Sequence, residues 1–276
     1  MAAGSQPLAR RVHPPADDAA RPRFAINEPL VYGIIGFVVV LVLWEAVVGL
    51  GLVRAALMSS PTRIAAAAVA DFRSGAILPH VGTSFLEWGV GFVIAIAVAL
   101  PLGLALGAFR RVEYVVDPWL SALYATPTVA LAPLIILLFG IGVESKFVIV
   151  FLEAFVVLTV NTVAGTHAAD RRHLDTARSF GASRWLMFRS VIIPSSVPFM
   201  ITGIRIAAGR AIVGVIVAEF IAANIGIGFY ISVNGATLNA SRVMLGVLII
   251  GVFGVIVGQL IRRLERRFDK WRPAIH

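Results

Sequence analysis

The chain has 276 residues, of which 59% are hydrophobic and only 14% charged, and its mean hydropathy is +0.90. An ordinary soluble domain has an apolar share nearer ~45–50%, so this composition belongs in a bilayer. The net charge of +9 comes with no basic face and no recognisable nucleic-acid module, the five His are scattered, and the absence of Cys removes disulfides, thiolate chemistry and cysteine metal sites together.

Residues 1–28 are rich in Ala, Pro and Arg, with Pro14, Pro15 and Pro22, and have no sustained period; they read as a disordered cytoplasmic tail ahead of a membrane domain over 29–273 and a short end at 274–276. The hydrophobic run Leu30 to Val53 exceeds the usual ~7–15 residues of a cleavable signal core and reads as the first spanning helix. Its one charge, Glu45, is expected to face protein or the interface rather than lipid. Ser60-Pro61 supplies an N-cap and a first-turn proline for a short, non-spanning helix from Thr62 to Phe72.

The remaining spans are expected at about 89–109, 118–142, 147–166, 199–224 and 243–261. Gly103-x-x-x-Gly107 and Gly254-x-x-x-Gly258 are close-packing signals for membrane helices, more often within a subunit than at a dimer seam. The run 118–142 holds Pro127 and Pro133, so it is expected to be kinked or partly unwound, which is tolerated at membrane depth only where protein or a cavity satisfies the freed backbone. Six spans put both termini on one side. That side collects 17 of the 24 Lys and Arg, the other five, and two lie within the fifth span, so the basic side is cytoplasmic by the positive-inside rule.

No Gly-Lys pair occurs, which excludes a phosphate-cradling P-loop, and neither His-Glu-x-x-His nor Gly-x-Ser-x-Gly is present. The chain is therefore expected to be no enzyme, to bind no cofactor or metal itself, and to leave any ATP chemistry to a partner. Within the spans stand Glu153, Arg205, Arg210 and Glu219, and intramembrane charges are functional candidates by default. Arg205 and Glu219 share one face of the fifth span within about 40° but lie roughly 21 Å apart along it, so they do not pair. Arg205, Arg210 and Glu219 are the candidates for a substrate path; snorkelling to the inner interface remains the structural alternative for Arg205.

The most polar internal segment is Asp175 to Pro194, reading DTARSFGASRWLMFRSVIIP, within a loop over 170–194. Leu174, Ala177 and Gly181 fall at i, i+3 and i+7, as do Trp185, Phe188 and Ile192, which predicts two short amphipathic helices hinged at Gly181. Arg178, Arg184 and Arg189 make it basic. Lying flat on anionic lipid through those arginines is the plainer reading.

The spacing resembles a family signature. Bacterial ABC importer permeases carry a cytoplasmic loop of the form Glu-Ala-Ala, three residues, Gly, nine residues, Ile-x-Leu-Pro. This chain has Asp175-Thr176-Ala177, three residues, Gly181, nine residues, then Val191-Ile192-Ile193-Pro194, in register throughout. The stretches Ala132-Pro133-Leu134 through Phe139-Gly140-Ile141-Gly142, Gly203-Ile204-Arg205-Ile206-Ala207 and Val217-Ala218-Glu219 are similar to the nitrate, sulfonate and taurine branch. The resemblance implies an all-α, six-helix permease of the type I importer fold in the bacterial inner membrane, paired with a second permease subunit. It also implies an extracytoplasmic solute-binding protein and ABC ATPase subunits that bind ATP-Mg. The segment, with Asp175, Thr176, Ala177, Gly181, Ala182, Ser183, Trp185 and Arg189, would be the coupling helix that docks on the ATPase. The rival from another class is a self-sufficient secondary transporter or channel that uses the buried charges for ion coupling.

Overall fold

A computed structural model describes residues 28–54 and 57–268, and the expected N-terminal tail and C-terminal end fall outside them apart from Glu28, which opens the first helix. In chain order the helices are α1 (Glu28–Gly49), α2 (Pro61–Arg73), α3 (Leu78–Ala108), α4 (Arg110–Ala125), a 3-10 turn (Thr128–Leu131) and α5 (Ala132–Phe139). They continue with α6 (Val143–His167), α7 (Arg171–Ser179), α8 (Arg184–Met187), a π turn (Phe188–Ile192), α9 (Ile193–Ala222), α10 (Ile227–Ala236) and α11 (Ala240–Phe268). No strand occurs among the described residues. Four helices are long and apolar enough to cross a membrane: α1, α3, α6 and α11. The total rises to six when α4 with α5, bent by 87°, and α8–α9 with α10, bent by 48°, each count as one span.

The break between α4 and α5 has a local cause. Pro127 has no N–H to continue α4, and the residue before it, Thr126, takes the extended conformation with ψ 129°, as X-Pro sterics demand. Pro133 then sits in the first turn of α5, where a missing N–H breaks no bond. The helix that leads into this break starts at Arg110 rather than near Pro118, so what reads as a basic turn is already α4.

The centre of the molecule is α6, held between α3 and α9. Lipid offers no hydrophobic drive for helices to associate, so close approach through small residues does the work. Ala95 and Ala99 of α3, Ala154 of α6, and Ala207, Ala208 and Ala211 of α9 meet in one buried cluster. Gly103 and Gly107 lie directly against Thr162 and Thr166 of α6, leaving no space for a Cβ, so the Gly-x-x-x-Gly of α3 is packing within the subunit. Two differences from the sequence reading matter for function. α3 begins at Leu78, not Gly89, and its early polar residues Ser84 and Glu87 are buried and partnered rather than lying outside the span. α10 is an element that the Gly- and Asn-laced sequence around it conceals.

Outside the long helices, α2 is tied down at both ends. Ser60 caps its N-terminus by accepting from the Arg63 N–H, and Glu45 of α1 accepts from the Thr62 N–H at 3.0 Å and the Thr62 hydroxyl at 2.7 Å. A carboxylate at a helix N-terminus is favourable by charge as well as by hydrogen bonding, which accounts for Glu45, the one charge in the apolar run that α1 carries from Leu30 onward. Toward its other end, Asp71 accepts from Tyr230 Oη at 2.6 Å and from Arg242 Nε and Nη2 at 3.0 and 2.9 Å, fastening α2 to α10 and α11. Burial works to raise the Asp71 pKa, but the hydrogen bonds from Arg242 and Tyr230 outweigh it and hold the carboxyl below its ordinary value.

Candidate functional site

The polar segment folds as two helices on either side of a glycine. Asp170 caps α7 by accepting from the Arg172 N–H at 2.8 Å, and Ser183 caps α8 by accepting from the Leu186 N–H at 3.2 Å. Between them Gly181 has φ +74°, a left-handed conformation that costs glycine nothing. The Ala182 N–H donates to the Ala177 carbonyl at 3.0 Å and the Gly181 N–H to the Arg178 carbonyl at 2.9 Å, the paired bonds of a Schellman ending. The bonds tie Gly181 and Ala182 to fixed positions in the last turn of α7, which sets where the glycine falls relative to that turn.

The site residues are brought together as one outward knuckle. No residue of α7, α8 or the π turn is buried. Asp175, Thr176, Ser183 and Arg189 are exposed, while Ala177 and Ala182 are half-buried at the joint. The tip is apolar. Phe180 is 86% exposed and Trp185 68%, with the Trp185 ring 5.8 Å from that of Phe188. Arg178 and Asp175 pair at 3.0 Å on the surface, leaving the net basic character of the segment unchanged. Large apolar side chains on a short, polar, capped turn are a surface made to be covered.

The three substrate-path candidates, by contrast, lie apart. Arg205 pairs with Glu265 of α11 at 2.5 Å. Arg210, 44% exposed, faces the carboxylate of Glu153, whose other oxygen accepts the hydroxyl of Thr128. Glu219 is enclosed: its carboxylate accepts from Ser84 Oγ at 2.6 Å and from the Gly228 N–H at 2.6 Å, which pins the start of α10 to α9.

Sequence reading missed a second buried charge pair. Lys146, at the start of α6, lies 3.0 Å from Glu87 of α3, and the Glu87 side chain is 0% exposed. Neither Glu87 oxygen meets hydrogen-bond geometry, and the contact recorded for the pair is the ionic one. A signal for it existed. His80, Ser84 and Glu87 fall at i, i+4 and i+7, a polar stripe on one face of a helix, and all three find buried partners on other elements: His80 Nδ1 meets the Gly226 backbone at 3.0 Å and Ser84 meets Glu219.

Fold and site together define a multi-pass membrane protein with an exposed, capped helical turn. Residues 85–270 match the family of binding-protein-dependent transport system inner membrane components, and the chain belongs to that family, the permeases of ABC importers. It is 30% identical over 236 residues to the aliphatic sulfonates transport permease protein SsuC of Bacillus subtilis, covering 86% of each chain. It is 27% identical to the taurine transport system permease protein TauC of Escherichia coli, covering 92% of this chain and 94% of that one. Among solved structures, the inward-facing MetNI methionine ABC transporter aligns with a TM-score of 0.62 at 15% identity, covering 70% of this chain and 96% of that one. The fold is that of a type I importer permease.

Proposed function

We propose that this permease carries a small anion, of the sulfonate, taurine or nitrate kind, across the bacterial inner membrane, and that the knuckle formed by α7 and α8 transmits ATP hydrolysis to it. The reading rests on one observation above the others: a capped helical turn hinged at Gly181, bearing Phe180 and Trp185 outward, with none of its residues buried in the subunit. A partner ATPase covers that surface and binds the ATP-Mg. A second permease subunit, an identical copy, completes the path, and an extracytoplasmic binding protein delivers the solute. Both termini then lie in the cytoplasm, on the side where the basic residues collect.

The names of the sulfonate and taurine permeases support a solute that bears a sulfonate group, and so does a guanidinium, Arg210, half exposed within a spanning helix. A charge there is expensive against lipid and reasonable against a path or a partner. The solute should be held weakly, since a tight site would trap it. Proteoliposomes containing the permease with its binding protein, with and without the ATPase, test the reading. Uptake of taurine or ethanesulfonate should require the ATPase and ATP; uptake that persists without either belongs to a self-sufficient transporter.

A further inference from the structure

Glu153 stands between two features that a transport path needs to connect. It projects from the middle of α6, 4% exposed, with one carboxylate oxygen 3.4 Å from Arg210 Nε on α9 and the other accepting the Thr128 hydroxyl. Thr128 opens the 3-10 turn at the 87° break between α4 and α5. The position is built to hold a carboxylate. Gly214 of α9 lies so close that a Cβ there would meet Glu153 Cγ at 2.9 Å, so the glycine makes room for the stem. Arg210 has five N–H donors, and among the described residues its recorded ionic partner is Glu153, through Nε alone.

We propose that Glu153 is a positioning residue that acts as an internal, displaceable counter-ion for Arg210 and ties its occupancy to the broken helix at Thr128. The inference rests on Arg210 facing the solute. An anion arriving at Arg210 competes with the Glu153 carboxylate for one guanidinium. Competition keeps the solute's hold weak, and the same carboxylate, once loosened, changes its grip on Thr128. Solute binding is thereby felt at the α4–α5 break without direct contact.

Two substitutions separate the halves of this claim. Glu153→Gln removes the competing charge but keeps an oxygen for Thr128, whereas Thr128→Val keeps the charge and removes the tether. The assay uses the intact permease–ATPase complex in nanodiscs, without binding protein, titrated calorimetrically with ethanesulfonate. A thiol probe reports on the break in the Cys-free chain through Ala130→Cys, at an exposed position. In the otherwise unaltered complex, ethanesulfonate should change the labelling rate at position 130.

Glu153→Gln should tighten ethanesulfonate binding about fivefold, the scale of a partly exposed ion pair, and in proteoliposomes supplied with the ATPase and the binding protein it should slow maximal uptake. Thr128→Val should leave affinity unchanged and make labelling at position 130 insensitive to ethanesulfonate, with Thr128→Ser restoring the response. Arg210→Gln should abolish binding. If Arg210→Gln weakens binding but Glu153→Gln leaves it unchanged, or if Thr128→Val stays responsive, the role of Glu153 is overturned while Arg210 keeps its own. If Arg210→Gln binds as before, the substrate-facing assignment of Arg210 falls first and takes the role of Glu153 with it.

Discussion

The charges of the knuckle and the charges of the helical interior are handled in opposite ways. Around α6 each is closed upon a partner: Lys146 with Glu87, Glu153 with Arg210 and Thr128, Glu219 with Ser84 and the start of α10. In α7 and α8 the helix ends carry side-chain caps and a Schellman ending, yet the side chains are left open, with Phe180 and Trp185 exposed and arginines along the surface. An element whose ends are capped holds its shape with its surface still uncovered. Such preorganisation lowers the ordering cost of docking. The interior sets the shape of the subunit; the knuckle contributes no buried residue to it. Changes in the two regions should therefore fail differently.

The largest effect is expected at the interior pair. Lys146→Met leaves Glu87 buried and uncompensated, and should cost about 3–5 kcal/mol, seen as loss of folded protein on size-exclusion in detergent. The double variant Glu87→Gln with Lys146→Met removes both charges and should recover most of the folded yield. A Lys146→Met protein as stable as the native chain would mean that the pair carries no structural load.

Gly181→Val should sharpen the contrast from the other side. At φ +74° a β-branched residue is strained by about 1–2 kcal/mol, but nothing lies within 4 Å of the added Cβ, so the strain stays local. Inserted, folded protein should be recovered while co-purification with the ATPase and solute uptake are lost. Ala177→Glu, at the half-buried joint, should behave alike. Folded protein that binds the ATPase normally in both variants would break the comparison.

Asp71 offers a pH test in a third place, outside the spans. Its folded pKa is held below the ordinary 3.8, so its contribution is fully present above that value and is lost only as the pH falls below it. Accessibility of a Cys introduced at Ala68 of α2, which packs against the cluster holding Tyr230 and Leu245, should be flat from neutral pH down to about 4 and rise below. Asp71→Asn should give the raised accessibility at neutral pH already. A transition in the native chain near pH 6 would point to other groups. The smallest effect is expected for Arg178→Gln: its pair with Asp175 is 63% and 69% exposed, so stability should change by less than about 0.5 kcal/mol.

Much of this division was legible in the sequence. The hydrophobic runs located the long helices, Pro127 announced the break, and the spacing of Ala177 and Gly181 marked the joint, because each depends on a local rule: length against bilayer thickness, a missing N–H, a positive φ. What stayed hidden depends on contacts distant in sequence. Glu87 and Lys146 are separated by a whole broken span, and hydropathy assigned each to a loop, which also placed the start of α3 too late. α10 is short and glycine-laced, and is held by Glu219 and by Tyr230 on Asp71 rather than by its own propensity. Thr128 carries no signal of its own in the sequence, because its partner Glu153 lies on α6.

The central claim, that α7 and α8 form the docking surface for an ATPase on the cytoplasmic side, is tested most directly by single-cysteine labelling. The chain has no Cys of its own, so Phe180→Cys, 86% exposed on the knuckle, and Asn239→Cys, ahead of α11, report one site each. The account predicts that an impermeant thiol reagent reaches position 239 in intact cells and position 180 only in inverted vesicles, and that added ATPase subunits protect position 180 alone. Labelling of position 180 from outside intact cells, or labelling there that the ATPase leaves unchanged, would contradict it.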